Sequence, residues 1–535
     1  MADFSENMPT HYVIGSGPAG VACAKALLAR GARVAMLDAG LQLETEAVEL
    51  TRKLAAKNAA QWSPNERGAL QSNLTADAKG LGRKLQFNSD FAYRETEEKI
   101  PWRGTGTALL PSLALGGLSN VWGSALLPNR DEDIEDWPIE NATLAPHYRA
   151  VAEFTGLSAQ DDDLSEWFPL HQDNPQGLRP SEQAATLLRN LNRQRDTLRA
   201  GGWRYGRSRL AVRVQDSPAG RGCVYCRECM GGCVYGCIYN SADTVRELQQ
   251  DKKIAYHGNV IVKTVAEQGA KIIIKGVDRK TGAALLFEAE RAYLATGVIP
   301  TAQILLRSQS AYNRPLILRD SQYFMLPLLT ARRAADVQTE AFYTLSQLFI
   351  EICQPRVSGH TVHLQLYTYS DIIGAGLRQS LGLFKSLTPL FAGRTIIIQG
   401  FLHSNESRTM TMTLKQDGEN DYLQLEAQAN PSTRPAVKRV VGELLKHSRA
   451  LGGLVLPPML QLTEPGRGFH SGGSLPMRTQ PGAFECDSMG RPHGWSRLHI
   501  VDASVLPSIP ATTITYSVMA NAHRIGWHTA NQLVS

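Results

Sequence analysis

The sequence predicts an α/β chain in which a nucleotide-binding domain, broken into pieces, receives an inserted domain built on an antiparallel β-sheet. Three observations predict this. The first forty residues read as strand, turn, helix and strand around a glycine-rich turn. Segments of the same mixed texture return at 259–308 and again in the tail. Between them, from roughly 315 to 465, the apolar residues alternate with period two instead of following helical spacing. The pieces of the first domain are expected at 1–155, 216–312 and 465–535, and the inserted domain at 156–215 and 313–464.

In the opening unit, HYVIG is a short apolar strand, GSGPAG a tight turn, VACAKALLARG a helix and VAMLDAG a second strand. Gly15, Gly17 and Gly20 fit G-x-G-x-x-G. The first glycine permits the turn, the second lets a pyrophosphate approach the backbone, and the third lets the helix pack on the strand. Asp38 ends the second strand eighteen residues after Gly20, where a carboxylate can accept a ribose 2′-hydroxyl. The pattern points to a dinucleotide and leaves both NAD and FAD open.

Further along, residues 44–60 read as a helix and SLALGGLSNVWG as a loop entering a helix. DWPIENATLAPHYRAVAEF reads as a turn followed by a helix. NVIVKTV, AKIIIKGV and RAYLATG are β-rich, and AQILLRS is helical. HLQLYTYS, RTIIIQGFLH and RTMTMTLKQ suggest one antiparallel sheet, with Tyr367, Tyr369 and Phe401 flooring a substrate pocket. The stretch 374–394 is apolar with only the positive charges of Arg378, Lys385 and Arg394. It reads either as an amphipathic lid making peripheral membrane contact or as a packed helix broken at Pro389.

Composition narrows the function classes. The chain has 535 residues, 43% hydrophobic and 20% charged, ample for a large core. A net charge of +6 without basic runs argues against nucleic acid as a partner. No apolar run is long enough for a transmembrane helix. MADFSENMPT lacks the pattern of an export signal, so a cytoplasmic location and reduced thiols are expected.

Five of the eight cysteines then stand out: Cys223, Cys226, Cys229, Cys233 and Cys237, spaced C-x2-C-x2-C-x3-C-x3-C. The first four match the bacterial ferredoxin run, with Val234 where proline usually follows. They are candidate ligands of a [3Fe-4S] or [4Fe-4S] cluster. Zinc held by thiolates and unmetallated structural thiols are the alternatives. Zinc usually takes two well-separated ligand pairs, a separation this run lacks.

Several stretches together resemble the glucose–methanol–choline (GMC) flavin oxidoreductases. They are Gly116-Gly117-Leu118-Ser119-Asn120-Val121-Trp122-Gly123, Asp136-Trp137-Pro138, Ala295-Thr296-Gly297, His470-Ser471-Gly472-Gly473-Ser474 and Val501-Asp502-Ala503-Ser504. They follow the family's order across nearly the whole chain. The resemblance implies FAD beneath the loop of Gly116, Gly117, Asn120 and Trp122, with Asp502 and Ala503 also close to it. It implies oxidation of a small-molecule alcohol, with His470 in the place of the family's catalytic histidine. A neutral imidazole, of ordinary pKa ~6.5, suits a base at neutral pH.

One position departs from the family pattern. Six residues beyond Pro507, where relatives carry histidine or asparagine, stands Thr513, a hydroxyl that can orient substrate but is no base. His523 lies ten residues further along an apparent helix, some 15 Å away at ~1.5 Å per residue, and is no substitute. Because the scaffold family also includes a lyase branch, a flavin-containing lyase or isomerase is the second functional reading. The cysteine run, from Cys229 to Asn240, also resembles flavin sugar dehydrogenases that carry a three-iron cluster. That resemblance implies a dehydrogenase passing electrons to a redox partner protein or a quinone instead of oxygen.

Overall fold

The computed structural model describes residues 11–70, 84–381, 386 and 388–531. The stretch MADFSENMPT therefore lies outside the described residues, as do 382–385 and 387 of the apolar 374–394 segment. The rest of that segment forms the end of helix Asp371–Leu381 and the short helix Thr388–Ala392.

A five-stranded, wholly parallel sheet anchors the molecule, in the order Leu498–Ile500, Arg291–Leu294, His11–Ile14, Val34–Leu37 and Ile254–His257. Its central strands are buried along their whole length, which is why they read as continuous apolar runs without alternation. The strands come from three distant parts of the chain. Helices Pro18–Ala29 and Ile514–Thr529 pack against each other beside this sheet. They approach so closely that a side chain on Gly526 would lie 2.7 Å from the Cys23 carbonyl.

Three antiparallel layers are added to this core. Val260–Gln268, Lys271–Asp278 and Ala284–Ala289 form a three-stranded sheet, bulged at Val262/Thr264. A five-stranded sheet runs Ser471–Gly472, Pro315–Asp320, Thr409–Asp417, Asn420–Gln428 and Trp102–Thr105, the last pair parallel. A seven-stranded sheet runs Gly453–Val455, Tyr323–Thr330, Thr395–Phe401, Val362–Tyr367, Leu348–Ile352 and Trp203–Arg207, with Gln461–Leu462 also on Tyr323–Thr330.

The expectation of one sheet over 315–465 is corrected here to two. The chain leaves the first at Asp320 and enters the second at Tyr323 through Ser321 and Gln322, both fully buried. The two sheets face different cores. The inner face of the five-stranded sheet (Leu316, Leu318, Met410, Met412, Leu423 and Leu425) joins the core of the parallel sheet. The seven-stranded sheet is covered by helices Glu182–Arg193 and Thr433–Lys446 over a separate cluster that includes Phe324, Ile350 and Leu444. Alternation alone cannot say which core a strand's apolar face joins.

The turn between the first strand and helix has no room for a side chain at Gly15 or Gly20. A Cβ on Gly20 would lie 2.0 Å from the Gly15 carbonyl oxygen, and one on Gly15 would lie 2.5 Å from the Ala295 carbonyl. Both obstacles are backbone, so a substituent must push strand and helix apart. Gly20→Ala is expected to cost about 1–3 kcal/mol of stability, read as a lower urea midpoint at unchanged far-ultraviolet circular dichroism.

Candidate functional site

A cavity of about 400 Å³ runs from the Gly15–Ala19 turn to the seven-stranded sheet. At one end, helix Pro18–Ala29 begins with Gly17 in the capping position and no side chain capping it. Its first N–H groups and the positive end of its dipole therefore face the cavity. Gly17 has open space in front of it, as does Gly297. Asp38 lies in the same wall and accepts from the Ser16 and Gly40 N–H groups at 3.1 and 3.0 Å, and from the Tyr256 hydroxyl at 3.3 Å. Burial lifts its carboxyl to about 6, and those hydrogen bonds oppose the lift. A pyrophosphate at the helix end and a ribose at Asp38 fit this wall.

Two loops close over the middle. Gly116 and Gly117 both have positive φ (83° and 56°), and the Gly116 N–H donates to the Ser16 hydroxyl at 2.9 Å. Asp502 accepts from the Gly297 N–H at 2.9 Å, from the Thr301 hydroxyl, and from the Ser504 N–H at 2.9 Å. This ties the Ala295–Gly297 turn to the Asp502–Ala503 loop. Gly117, Trp122, Asp502 and Ala503 line the cavity, and Trp122 donates its indole N–H to the Tyr239 carbonyl at 3.0 Å. Gly20, Gly116 and Asn120 stand behind the wall. Asn120 donates to the Leu115 and Gly117 carbonyls and accepts from Asn240, so its amide is spent holding the turn.

At the far end His470 lines the cavity, its ring stacked on Phe401 with centroids 4.8 Å apart. Its Nδ1 is buried and has no hydrogen-bond partner among the described residues. Its backbone is held from the five-stranded sheet: the Ser321 N–H donates to the His470 carbonyl at 3.0 Å, and Asp320 pairs with Ser471 in the ladder. The buried Asp320 carboxylate accepts from the Ser471 hydroxyl at 2.6 Å and the Gly466 N–H at 3.0 Å. Desolvation, reinforced by the nearby His363, brings the His470 pKa down to about 3, so the imidazole is neutral. Thr513 also lines the cavity, but its hydroxyl oxygen accepts from the Leu127 N–H at 3.1 Å. That leaves its one O–H to donate. His523 is elsewhere, with its Nδ1 2.9 Å from that of His147.

Of the aromatic residues expected to floor a substrate pocket, Tyr367 and Phe401 line the cavity. Tyr369 is corrected: it packs instead in a side cluster with Val337 and Ala392, its ring against Gly374. Sequence reasoning missed Gln365 and Gln399, which are paired across neighbouring strands and line the cavity. It also missed a buried polar line behind them. The Tyr367 hydroxyl donates to Gln365 Oε1 (3.1 Å), Gln365 Nε2 meets His363 Nε2 (3.1 Å), and His363 Nδ1 meets Glu351 Oε1 (2.6 Å). An amide nitrogen only donates, so His363 accepts at Nε2 and carries its proton on Nδ1, toward Glu351. Period-two spacing in His363-Leu-Gln365-Leu-Tyr367 was the signal available.

All five cysteines of the run gather around one small enclosed void with almost wholly apolar walls, completed by Tyr343 and Leu345. Positive φ at Tyr225, Arg227, Gly232 and Gly236 folds the run around it. The Cys237 N–H donates to the Cys233 sulfur at 3.2 Å, and the Thr344 N–H to that of Cys229 at 3.4 Å. The Cys237 thiol and the surrounding N–H groups draw the Cys233 pKa down to about 6, while burial pushes Cys223 up to about 12. Among the described residues, no three His, Cys, Asp or Glu side chains are grouped to hold a single metal ion. No described helix is long and apolar enough to cross a membrane.

Residues 459–522, which contain His470, Asp502, Ala503 and Thr513, match the family model for GMC oxidoreductases. The crystal structure of pyridoxine 4-oxidase from Mesorbium loti is similar to this fold at a TM-score of 0.60 and 14% identity. The alignment covers 98% of this chain and 100% of that one. No curated protein matches the chain. The C-terminal segment is thus similar to the GMC oxidoreductases in sequence, and the whole chain is similar in fold to a solved oxidase.

Proposed function

We propose that the protein oxidises the CH–OH group of a small or medium alcohol, with FAD in the 400 Å³ cavity and His470 as the base. The observation that carries this reading is His470 itself: a neutral imidazole lining the same cavity as the uncapped helix end and Asp38. The residues fit FAD. Gly15–Ala19 and the helix end suit its pyrophosphate, Asp38 its ribose, and Gly117, Trp122, Asp502 and Ala503 line the stretch leading to His470. FAD held by these residues would supply the hydride acceptor for the oxidation.

The chain's own residues do the rest. At a pKa near 3, His470 is too weak to ionise an alcohol beforehand. It takes the hydroxyl proton as the C–H bond breaks, when the forming carbonyl makes that proton strongly acidic. Thr513 donates its one O–H toward the substrate oxygen. Tyr367, committed as donor to Gln365, presents an acceptor to a second polar group, and the uncharged amides of Gln365 and Gln399 suit a hydroxylated substrate.

The cysteine run supports a dehydrogenase over an oxidase. A mononuclear zinc site would need thiolates about 4 Å apart, given Zn–S bonds of ~2.3 Å. An iron–sulfur centre, whose ligands bind different irons, would be held by Cys223, Cys226, Cys229 and Cys233, the four that match the ferredoxin spacing. Such a centre supplies one-electron transfer.

Three outcomes are expected. His470→Asn slows anaerobic, substrate-driven bleaching of the flavin by at least ~100-fold while retaining bound flavin, and near-normal bleaching rules the base out. Because a lowered pKa keeps His470 neutral everywhere above about pH 4, the bleaching rate shows no acid limb between about pH 5 and pH 8. Anaerobically purified protein carries three or four irons with matching acid-labile sulfide per flavin. Flavin without iron would reduce the run to packed thiols.

A further inference from the structure

A second cavity, about 360 Å³, lies between the main cavity and the cysteine void. It shares Ser119 and Trp122 with the first, and Gly232, Cys233 and Ile238 with the second. A single layer of side chains therefore separates it from the wall beneath which the flavin is proposed to sit. Nothing in the alcohol-oxidation chemistry uses this space.

Its walls have a definite character. Phe87, Phe91, Trp122 and Tyr239 are aromatic, and Leu43, Leu115 and Val234 add aliphatic surface. Its polar groups are mostly committed elsewhere. Asn120 and Asn240 hold the Gly116–Asn120 turn, and Arg246 pairs with Asp243 at 2.8 Å. Lys84 is different. Its ammonium lines the cavity and donates at 2.7 Å to the carbonyl of Trp122, the residue on the shared wall, and an ammonium has three N–H bonds. Flat aromatic walls with one cation at the partition suit a flat molecule whose edge carries an oxygen acceptor.

We propose that this cavity is the binding site for a quinone-class electron acceptor, held between the aromatic walls with one carbonyl oxygen on Lys84. The inference rests on the proposed flavin in the main cavity, and not on a cluster at the cysteines. In the step it serves, a quinone takes two electrons from the reduced flavin across the Trp122 partition. It takes two protons, from the reduced flavin and from solvent, and leaves as the quinol while the flavin returns to its oxidised form. Lys84 stabilises the negative charge that develops on the quinone oxygen as the electrons arrive.

The test uses the full-length holoprotein and duroquinone, whose fully substituted ring offers thiols no site for addition. Equilibrium dialysis without air is expected to show one duroquinone per chain. Binding should weaken at least tenfold in Lys84→Met and in Val48→Trp. The second variant fills the cavity from an exposed position (37% accessible) on helix Thr45–Ala55, so its folding is not at risk. Flavin photoreduced without substrate should be reoxidised by duroquinone at least tenfold more slowly in both variants, at unchanged flavin content. Absence of duroquinone binding in the wild type overturns the proposal. So do variants that bind and reoxidise like the wild type, which would route the acceptor through the main cavity or to a docked protein. Because photoreduction needs no alcohol, failure of the alcohol-oxidation reading shows separately, as alcohols that never bleach the flavin.

Discussion

Everything at the nucleotide end depends on one steric constraint: the backbone of the first turn lies against two other backbones at distances that exclude any side chain. Gly20 faces the Gly15 carbonyl and Gly15 faces the Ala295 carbonyl, so strand, helix and the neighbouring strand are locked in mutual position. That lock aims the helix end into the cavity and sets Asp38 beside it. Asp502 extends the same frame to the other side, holding the Gly297 turn and the Ala503 loop with one buried carboxylate. Such a carboxylate is stable only because each hydrogen bond replaces lost hydration.

The far end is held by a different device. His470 belongs to neither the parallel sheet nor the seven-stranded one. It is carried on a loop stitched to the five-stranded sheet by Asp320, while the ring it stacks on, Phe401, comes from the seven-stranded sheet. The His470 end of the cavity therefore lies where two separately cored sheets meet, at the switch through Ser321 and Gln322. Behind it, the Glu351–His363–Gln365–Tyr367 line runs from buried groups to the half-buried Tyr367, and each bond's direction is imposed by its neighbour. A break anywhere along it would leave a polar group stranded in a dry layer.

The same logic separates the three cavities. Each is bounded by residues with duties on both sides: Trp122 and Ser119 between the first and second, Cys233 and Gly232 between the second and the cysteine void. Trp122 is pinned by the Tyr239 carbonyl on its indole and by Lys84 on its own carbonyl, so the partition is rigid.

Local chemistry made much of this legible beforehand. Glycine spacing, the carboxylate closing the second strand and the histidine in its glycine-rich turn are properties of short segments, and the structure brings Gly15, Gly17, Asp38, Trp122, Asp502 and His470 to one cavity. Cysteine spacing likewise foretold a single gathering point. What sequence could not carry was long-range pairing. Alternation marks Thr395–Phe401 and Thr409–Asp417 equally as strands, yet they join different sheets, because register and partner are set by which core their apolar faces reach. For the same reason Tyr369, two residues past Tyr367, turns away from the pocket once the strand has ended, and Asn120 faces backward from its loop. The sequence by itself determined most of the elements, the glycine-rich turn and the histidine proposed as the base. Only the tertiary structure decided the clamp at Asp320, the polar line to Glu351 and the second cavity at Lys84, since each unites residues that no local spacing relates.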